Sequence, residues 1–212
     1  MAARFTLHGF WASGPSYKAA LMLSLTDQPY DYHSVNLRAM EHKGPEHLAR
    51  NRFGQVPALT DASNGRCLCQ SAVIIEYLAD VTGKFGGADR DERLKAREWM
   101  FWDFDRFAPP IYRARAQRIG LRNYNQPIME LYHGEGALAL KTVDEHLKGR
   151  DWLVGAGPTI ADIDAYGVAA YASAAGHDLE AYPNLSAWAA RFEALPGFGA
   201  PEALMPKESR AA

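Results

Sequence analysis

Sulfur is scarce in this chain: 212 residues carry two cysteines, Cys67 and Cys69. One residue separates them inside an expected strand, where successive side chains point to opposite faces, so they are poorly placed to bond to each other. No second cluster completes a tetrahedral zinc site, and the seven histidines show no H-E-x-x-H or comparable metal spacing. The plain reading is a pair of small buried residues in a reducing cytoplasm. A charge excess of one sign is also missing. Lysine plus arginine number 23 against 25 acidic residues, a formal net charge of −2, which excludes wholesale attraction to nucleic acid. No stretch approaches the roughly 18 apolar residues of a membrane span, and "MAARFTLHGFWASG" lacks the pattern of a secretory signal. Repeats and low-complexity segments are absent. What remains is 48% hydrophobic, enough to bury the core of one compact unit or two small packed domains.

The first eighty residues alternate strand and helix patterns. "RFTLH" puts Phe5 and Leu7 on one face, and "SYKAALMLSL" has the dense apolar pattern of a buried helix. "YDYHSVNL" reads as a second strand with a one-residue slip that suggests a bulge. "GPEHLARN" is a short helix, and "VPALTD" and "RCLC" flank a hairpin signalled by Asn64-Gly65. "SAVIIEYLADVTG" closes the series as a helix ending near Gly83. The order β-α-β, then β-β-α, predicts a small mixed sheet. Beyond it the pattern is helical throughout: residues 90–122, interrupted where Pro109 and Pro110 remove helix hydrogen bonds, then 127–148, 159–176 and 184–195. Two domains follow, residues 1–82 and 90–212, joined by a Gly-rich, charged linker at 83–89. The tail "APEALMPKESRAA" has little to bury.

"GFWASGPSYK", residues 9–18, stands between the first strand and the first helix. As a phosphate loop it fails, because Pro15 occupies the lysine position and Phe10 and Trp11 fill the loop. Its Ser13-x-x-Ser16 spacing is that of a redox Cys-x-x-Cys motif with oxygen in place of sulfur. A hydroxyl cannot form the disulfide. What survives is a helix N-terminus with free N–H groups and an outward hydroxyl, suited to holding a thiolate supplied by another molecule. The alternative without chemistry has Ser16 capping the helix and Ser13 in the turn. Downstream, "FGQVPAL" places Pro57 at a strand start, where an X-Pro bond is open to the cis form and Val56 would present its peptide groups to an extended peptide. "CQSAVI" supplies a second helix start, with the Ser71 hydroxyl matched to a carboxylate. His42 and Lys43 lie in a loop nearby. Together these describe a pocket for a short anionic thiol peptide.

The combination of "SGPSYK", "NRFGQVPAL" and "LCQSAVIIEYLA" with "GPTIADIDAY" and "YPNLSAWAARFEALPGF" resembles the cytosolic glutathione transferases over nearly the whole chain, with the closest likeness to bacterial serine-type members. The resemblance implies a thioredoxin-like α/β N-terminal domain, an all-α C-terminal domain, a homodimer in the cytoplasm, and glutathione as co-substrate, with no metal, nucleic acid or membrane partner. By this likeness Ser13 donates a hydrogen bond to the glutathione sulfur, and Val56 before Pro57 clamps the cysteinyl unit. Gln70 and Ser71 hold the γ-glutamyl end. His42, Lys43 and Gln55 reach the glycine carboxylate. Phe10, Trp11, Tyr112 and Arg113 are the candidates for the second-substrate site, while Trp99, Trp102 and Trp188 are assigned to the core and Thr159 with Asp162 to a structural capping box. Three departures stand out: Arg52 where proline is usual, Gln70 for glutamate, and Pro15 where some relatives place an amide near the sulfur.

A hydrogen bond to a charged group is worth roughly 1.5 to 3 kcal/mol, which lowers a thiol pKa by about one to two units, from near 8.5 to about 6.5 to 7.5. The resulting expectation is thiolate attack on a hydrophobic electrophile, detoxification chemistry that extends to peroxide or disulfide reduction. Two alternatives are a maleylacetoacetate-type isomerase, whose Ser-Ser-Cys-Ser motif is altered here at Gly14 and Pro15, and a non-catalytic binding or assembly module on the same fold.

Overall fold

A computed structural model describes residues 3–211. They form two compact units, one running to Lys84 and taking in the chain from Leu195 onward, the other Phe85–Ala194.

The first unit is thioredoxin-like: β1 (Phe5–Gly9), α1 (Gly14–Leu25), β2 (Tyr30–Ser34), a 3-10 turn at Glu41–Lys43, α2 (Pro45–Arg50), β3 (Ala58–Asp61), β4 (Arg66–Cys69) and α3 (Ser71–Thr82). The strand order is β2-β1-β3-β4, with β1 parallel to β2 and antiparallel to β3, and β3 antiparallel to β4. Phe5, Leu7 and Leu59 of the sheet, Leu21 of α1 and Ile74, Ile75 and Leu78 of α3 are all fully buried. The expected bulge in β2 is absent. Tyr30 and Tyr32 pair in regular register with Phe5 and Leu7, and the apolar slip arises because Val35 lies past the strand end, its N–H donating to the Gly9 carbonyl at 2.7 Å.

The Asn64-Gly65 hairpin forms around Asp61, a carboxylate with only 1% of its surface exposed. One oxygen accepts from the Ser63 N–H at 2.9 Å and the Ser63 hydroxyl at 2.6 Å; the other accepts from Tyr77 of α3 at 2.6 Å and from Arg4 at 2.7 Å. The turn is thereby tied to both the strand before it and the helix after it. These donors, Arg4 foremost, hold the Asp61 carboxyl far below the usual carboxylate range. Because its folded pKa is depressed, its contribution to stability is fully present above the unfolded value near 4 and is lost as pH falls below that. Asp61→Asn is expected to cost about 2 kcal/mol at neutral pH, and urea titrations should show the difference from the parent shrinking steadily below pH ~4.

Both cysteines differ from the expected burial. β4 is an edge strand, so Cys67 is exposed, its sulfur donating to the Arg50 carbonyl at 3.4 Å, and Cys69 is half-buried. The tail differs as well, and with it the expected boundary, which gave everything past residue 90 to the helical domain. Gly197 and Gly199 offer their carbonyls to Ser24 at 2.6 Å and Tyr17 at 2.9 Å on α1, and Met205 is buried. The Tyr32 and Arg210 backbones then exchange two hydrogen bonds, of 2.7 and 2.8 Å, on the free edge of β2. The tail has one apolar anchor and a sheet edge to complete.

The second unit is all-helical: α4 (Arg90–Trp102), α5 (Ala108–Arg118), α6 (Gln126–Leu147), α7 (Ile160–Ala169), α8 (Ala172–Ala175) and α9 (Pro183–Glu193). Pro109 and Pro110 do not end the first helix. They lack the N–H groups that would meet the Asp105 and Arg106 carbonyls, and the chain answers upstream with a π-helical turn, Asp103–Phe107, in which the Ala108 N–H reaches Asp103. Trp188 is fully buried beside the stacked pair Tyr166 and Phe192. Trp99 and Trp102 are half-buried instead, packing edge-to-face and lining an open cleft of about 520 Å³ with His146. The capping box forms as expected: Thr159 caps α7 and Asp162 returns to the Thr159 N–H at 2.8 Å.

Candidate functional site

Strand register brings the motif segments to one end of the sheet. His8 of β1 is opposite His33 of β2 and Ala58 of β3, and Ala58 is opposite Cys69 of β4. The chain therefore leaves β1, β2 and β4, and enters β3, at the same end. The Ser13 turn follows β1, the His42–Lys43 loop follows β2, Val56-Pro57 precedes β3, and Gln70-Ser71 follows β4.

Ser13, not Ser16, caps α1. It has extended backbone (φ −88°, ψ 115°) and its hydroxyl oxygen accepts from the Ser16 N–H at 3.2 Å. Ser16 is the residue inside: it is fully buried, and its hydroxyl lies 3.4 Å from the Phe10 N–H. The exchange of roles has a simple cause. Pro15, with its fixed φ, sits in the first helical turn, so the helix starts at Gly14 and Ser13 is its cap; since Pro15 has no N–H, the donor Ser13 takes is that of Ser16. Capping does not disable Ser13. A hydroxyl has two lone pairs and one proton, and the cap occupies a lone pair only. Ser13 is half-buried, with the positive end of α1 behind it.

The Val56–Pro57 peptide bond is cis. Asn51, 1% exposed, organises the approach to it: its side-chain amide donates to the Gln55 carbonyl at 2.8 Å and the Pro57 carbonyl at 3.2 Å, and its oxygen accepts from the Phe53 N–H at 3.0 Å. The His47 ring is 2.7 Å from the same Gln55 carbonyl. Among the described residues the Val56 N–H and carbonyl have no hydrogen-bond partner, an open donor and acceptor side by side. Lys43 braces this loop, its ammonium 2.8 Å from the Gly54 carbonyl. Gly54 itself has φ +57°, and a Cβ there would stand 2.8 Å from the Lys43 nitrogen. His42 is half-buried with an unpartnered Nδ1, and burial, reinforced by Lys43 and His47, lowers its pKa. Gln55 and Arg52 are exposed, the latter over the Phe53 ring.

Gln70 opens α3 with φ 72°, a left-handed setting that a non-glycine residue adopts at a cost. Ser71 follows at the first helical position, 2% exposed, and its hydroxyl oxygen has no partner. A strained cap beside an orphaned buried hydroxyl at a helix N-terminus is the arrangement of an anion receptor.

Of the second-substrate candidates, Phe10 and Trp11 lie in the β1–α1 turn with ring centres 5.4 Å apart, Phe10 buried and Trp11 half-buried. Tyr112 and Arg113 belong to the helical unit. The Tyr112 hydroxyl donates to the Gly167 carbonyl at 2.9 Å and its ring packs edge-on against Tyr171, so the packing of α5 against α7 and α8 occupies it. Arg113 is exposed and lies over the Tyr132 ring. Asn51 and His47 are the supports that motif reading passed over. An asparagine four residues before the carbonyl it holds was the available signal. Among the described residues no group of three or more His, Cys, Asp or Glu is arranged to hold a metal ion, and no helix is long and apolar enough to cross a membrane.

A four-stranded mixed sheet with a cis-proline opening its third strand, joined in sequence to a helical unit, defines a thioredoxin-like protein with an all-helical second domain. The chain belongs to the glutathione S-transferase family: the N-terminal domain of that family matches residues 3–80 and its C-terminal domain residues 123–196. A maleylacetoacetate isomerase of Rhizobium meliloti is 31% identical over 170 residues, covering 77% of this chain and 79% of that protein. The crystal structure of a glutathione S-transferase from Pseudomonas fluorescens aligns with TM-score 0.88 at 29% identity, covering 94% of this chain and 99% of the other. A glutathione S-transferase I bound with lactoylglutathione aligns with TM-score 0.81 at 25% identity, covering 96% and 100%.

Proposed function

We propose that this chain is a catalytic glutathione transferase in which Ser13 stabilises the thiolate of bound glutathione for attack on an electrophile. The observation that carries the reading is the convergence, at one sheet end, of three groups with unused capacity: the Ser13 hydroxyl proton, the open Val56 peptide groups and the orphaned Ser71 hydroxyl. They match an extended thiol peptide in chemistry and order. The Val56 N–H and carbonyl receive the cysteinyl backbone as a short antiparallel pair. One χ1 rotation turns the Ser71 hydroxyl toward the γ-glutamyl carboxylate, which the N-terminus of α3 and Gln70 also attract. Lys43 and His42, with Gln55, face the glycine end; Lys43 keeps one ammonium proton beyond those directed at the Phe53 and Gly54 carbonyls. Thiolate stabilisation by a neutral hydroxyl needs no general base. The proposal includes a cytoplasmic homodimer, the dimer tested by sedimentation equilibrium.

Ser71→Ala separates binding from folding. The unliganded protein should unfold at the same temperature or slightly higher, because an unpartnered buried oxygen is removed. Glutathione affinity should fall about 10- to 100-fold, the worth of a hydrogen bond to a charged group. Isothermal calorimetry reads both the affinity and, if no heat appears at millimolar glutathione even for the parent, the failure of the whole reading in favour of a binding or assembly module.

The likeness to a maleylacetoacetate isomerase supports a second reading, in which the same thiolate adds to a cis-alkene diketo acid and departs after bond rotation. Gly14 and Pro15 stand where that chemistry's motif has serine and cysteine, which counts against it. A direct assay on maleylacetoacetate decides: turnover at rates comparable to conjugation would make isomerisation the activity.

A further inference from the structure

The tail that completes the β2 edge also places a cation beside the candidate thiol site. Ser34, the last residue of β2, is gripped twice: its hydroxyl donates to the Lys207 carbonyl at 2.7 Å and its N–H donates to the Ser209 hydroxyl at 3.0 Å. Ser34 is opposite Gly9, the residue from which the Ser13 turn departs. The Tyr32–Arg210 backbone pair fixes the register of this strap, and Arg210 covers the Tyr30 ring. Lys207 consequently stands at the same sheet end as Ser13, with its ammonium 5.2 Å from the centre of the Trp11 ring. It forms no ion pair with a carboxylate among the described residues. Its only partner there is an aromatic face, worth about 0.5 to 1 kcal/mol at an exposed position, so the charge remains available to an anion.

We propose that Lys207 and Trp11 together form the rim of the electrophile site and select electrophiles that carry a carboxylate on an aromatic or conjugated frame. The inference rests on the glutathione transferase reading and names the substrate class it leaves open. The flat frame packs on Trp11, which Phe10 backs from within, and the carboxylate pairs with the ammonium. Lys207 is a positioning residue: it does not touch the reacting sulfur, and it acts by holding the substrate's far end. The strap makes this possible without side-chain help from Lys207, since the grip on Ser34 uses the Lys207 carbonyl. Substitutions of the side chain therefore leave the fold in place.

The test compares glutathione conjugation of chlorodinitrobenzene, which is neutral, with that of chlorodinitrobenzoate, which carries the carboxylate. In both, the thiolate forms the carbon–sulfur bond and chloride leaves with its electron pair. Lys207→Ala should lower kcat/KM for the benzoate about three- to fivefold, mainly through KM, and leave the neutral substrate within about twofold. Lys207→Glu should lower the benzoate about tenfold or more, and Lys207→Arg should restore it. Raising salt to about 0.5 M should erase most of the parent's preference. Ser34→Ala, which loosens the strap while keeping the lysine, should give an intermediate loss. Equal effects of Lys207→Glu on both substrates would overturn the proposal while leaving glutathione chemistry intact. Absence of glutathione binding by calorimetry would overturn the underlying reading, and this inference with it.

Discussion

Replacing Ser13 by glycine should cut conjugation at pH 7 about 10- to 100-fold while changing stability by only a few tenths of a kcal/mol. Glycine is the informative substitution because Ser13 has two jobs. Its oxygen caps α1 through the Ser16 N–H, and its proton is the proposed donor to the glutathione sulfur. Alanine would lose both, at a cost of about 1 kcal/mol for the cap alone, and an activity loss could then be blamed on a frayed helix. Glycine is nearly as good a cap and donates nothing from a side chain. The loss should also depend on pH. Without the hydroxyl the bound thiol titrates about one to two units higher, so the acid limb of the kcat/KM profile shifts up by that amount and the two proteins converge near pH ~9, where both thiols are ionised. A uniform loss at every pH would mean that Ser13 positions the substrate rather than stabilising its charge.

The second large effect belongs to stability. Asp162 is completely buried and accepts from the Leu153 N–H at 2.9 Å, the Thr159 N–H at 2.8 Å, the Thr159 hydroxyl at 3.1 Å and the Trp188 ring N–H at 3.0 Å. One side chain thus caps α7, holds the loop before it and anchors the tryptophan of α9. Burial raises its pKa despite these donors. Asp162→Ala strands four buried donors, and the expected cost is about 3 to 5 kcal/mol, a melting temperature lower by roughly 10 °C or more for a chain of this size. Trp188→Phe removes one donor with its acceptor still satisfied by three others, and should cost about 1 to 2 kcal/mol. Differential scanning calorimetry distinguishes these, and glutathione affinity should be unchanged in whatever remains folded, since Asp162 lies in the helical unit.

The sheet was legible because its signals are local. Alternating apolar residues in "RFTLH", a buried helix in "SYKAALMLSL" and a hairpin at Asn64-Gly65 fixed the β-α-β, β-β-α order, and register then followed from topology. The site segments were legible for the same reason: each is a strand end or helix start marked by Gly, Pro or Ser. The roles inside them were not. Ser13 and Ser16 have the same side chain, and which one caps depends on where the helix begins, at Gly14 with Pro15 in its first turn. Asn51 is marked in sequence only by its place four residues before Gln55, because its partners are carbonyls of the loop it shapes. The tail "APEALMPKESRAA" reads as having little to bury because its stability comes from an edge of β2 more than 170 residues earlier in the chain. Pro109 and Pro110 were seen correctly as a disturbance, but the π-helical turn that absorbs it lies upstream, where no residue is unusual for a helix.

The most direct measurement of the central claim is an ultraviolet titration of the thiolate of glutathione bound to the parent protein. Thiolate absorbance should appear with a midpoint about one to two units below that of free glutathione, and the midpoint should return to the free value in Ser13→Gly. Binding with an unshifted midpoint in the parent would contradict thiolate stabilisation by Ser13, and no binding at millimolar glutathione would contradict the site itself.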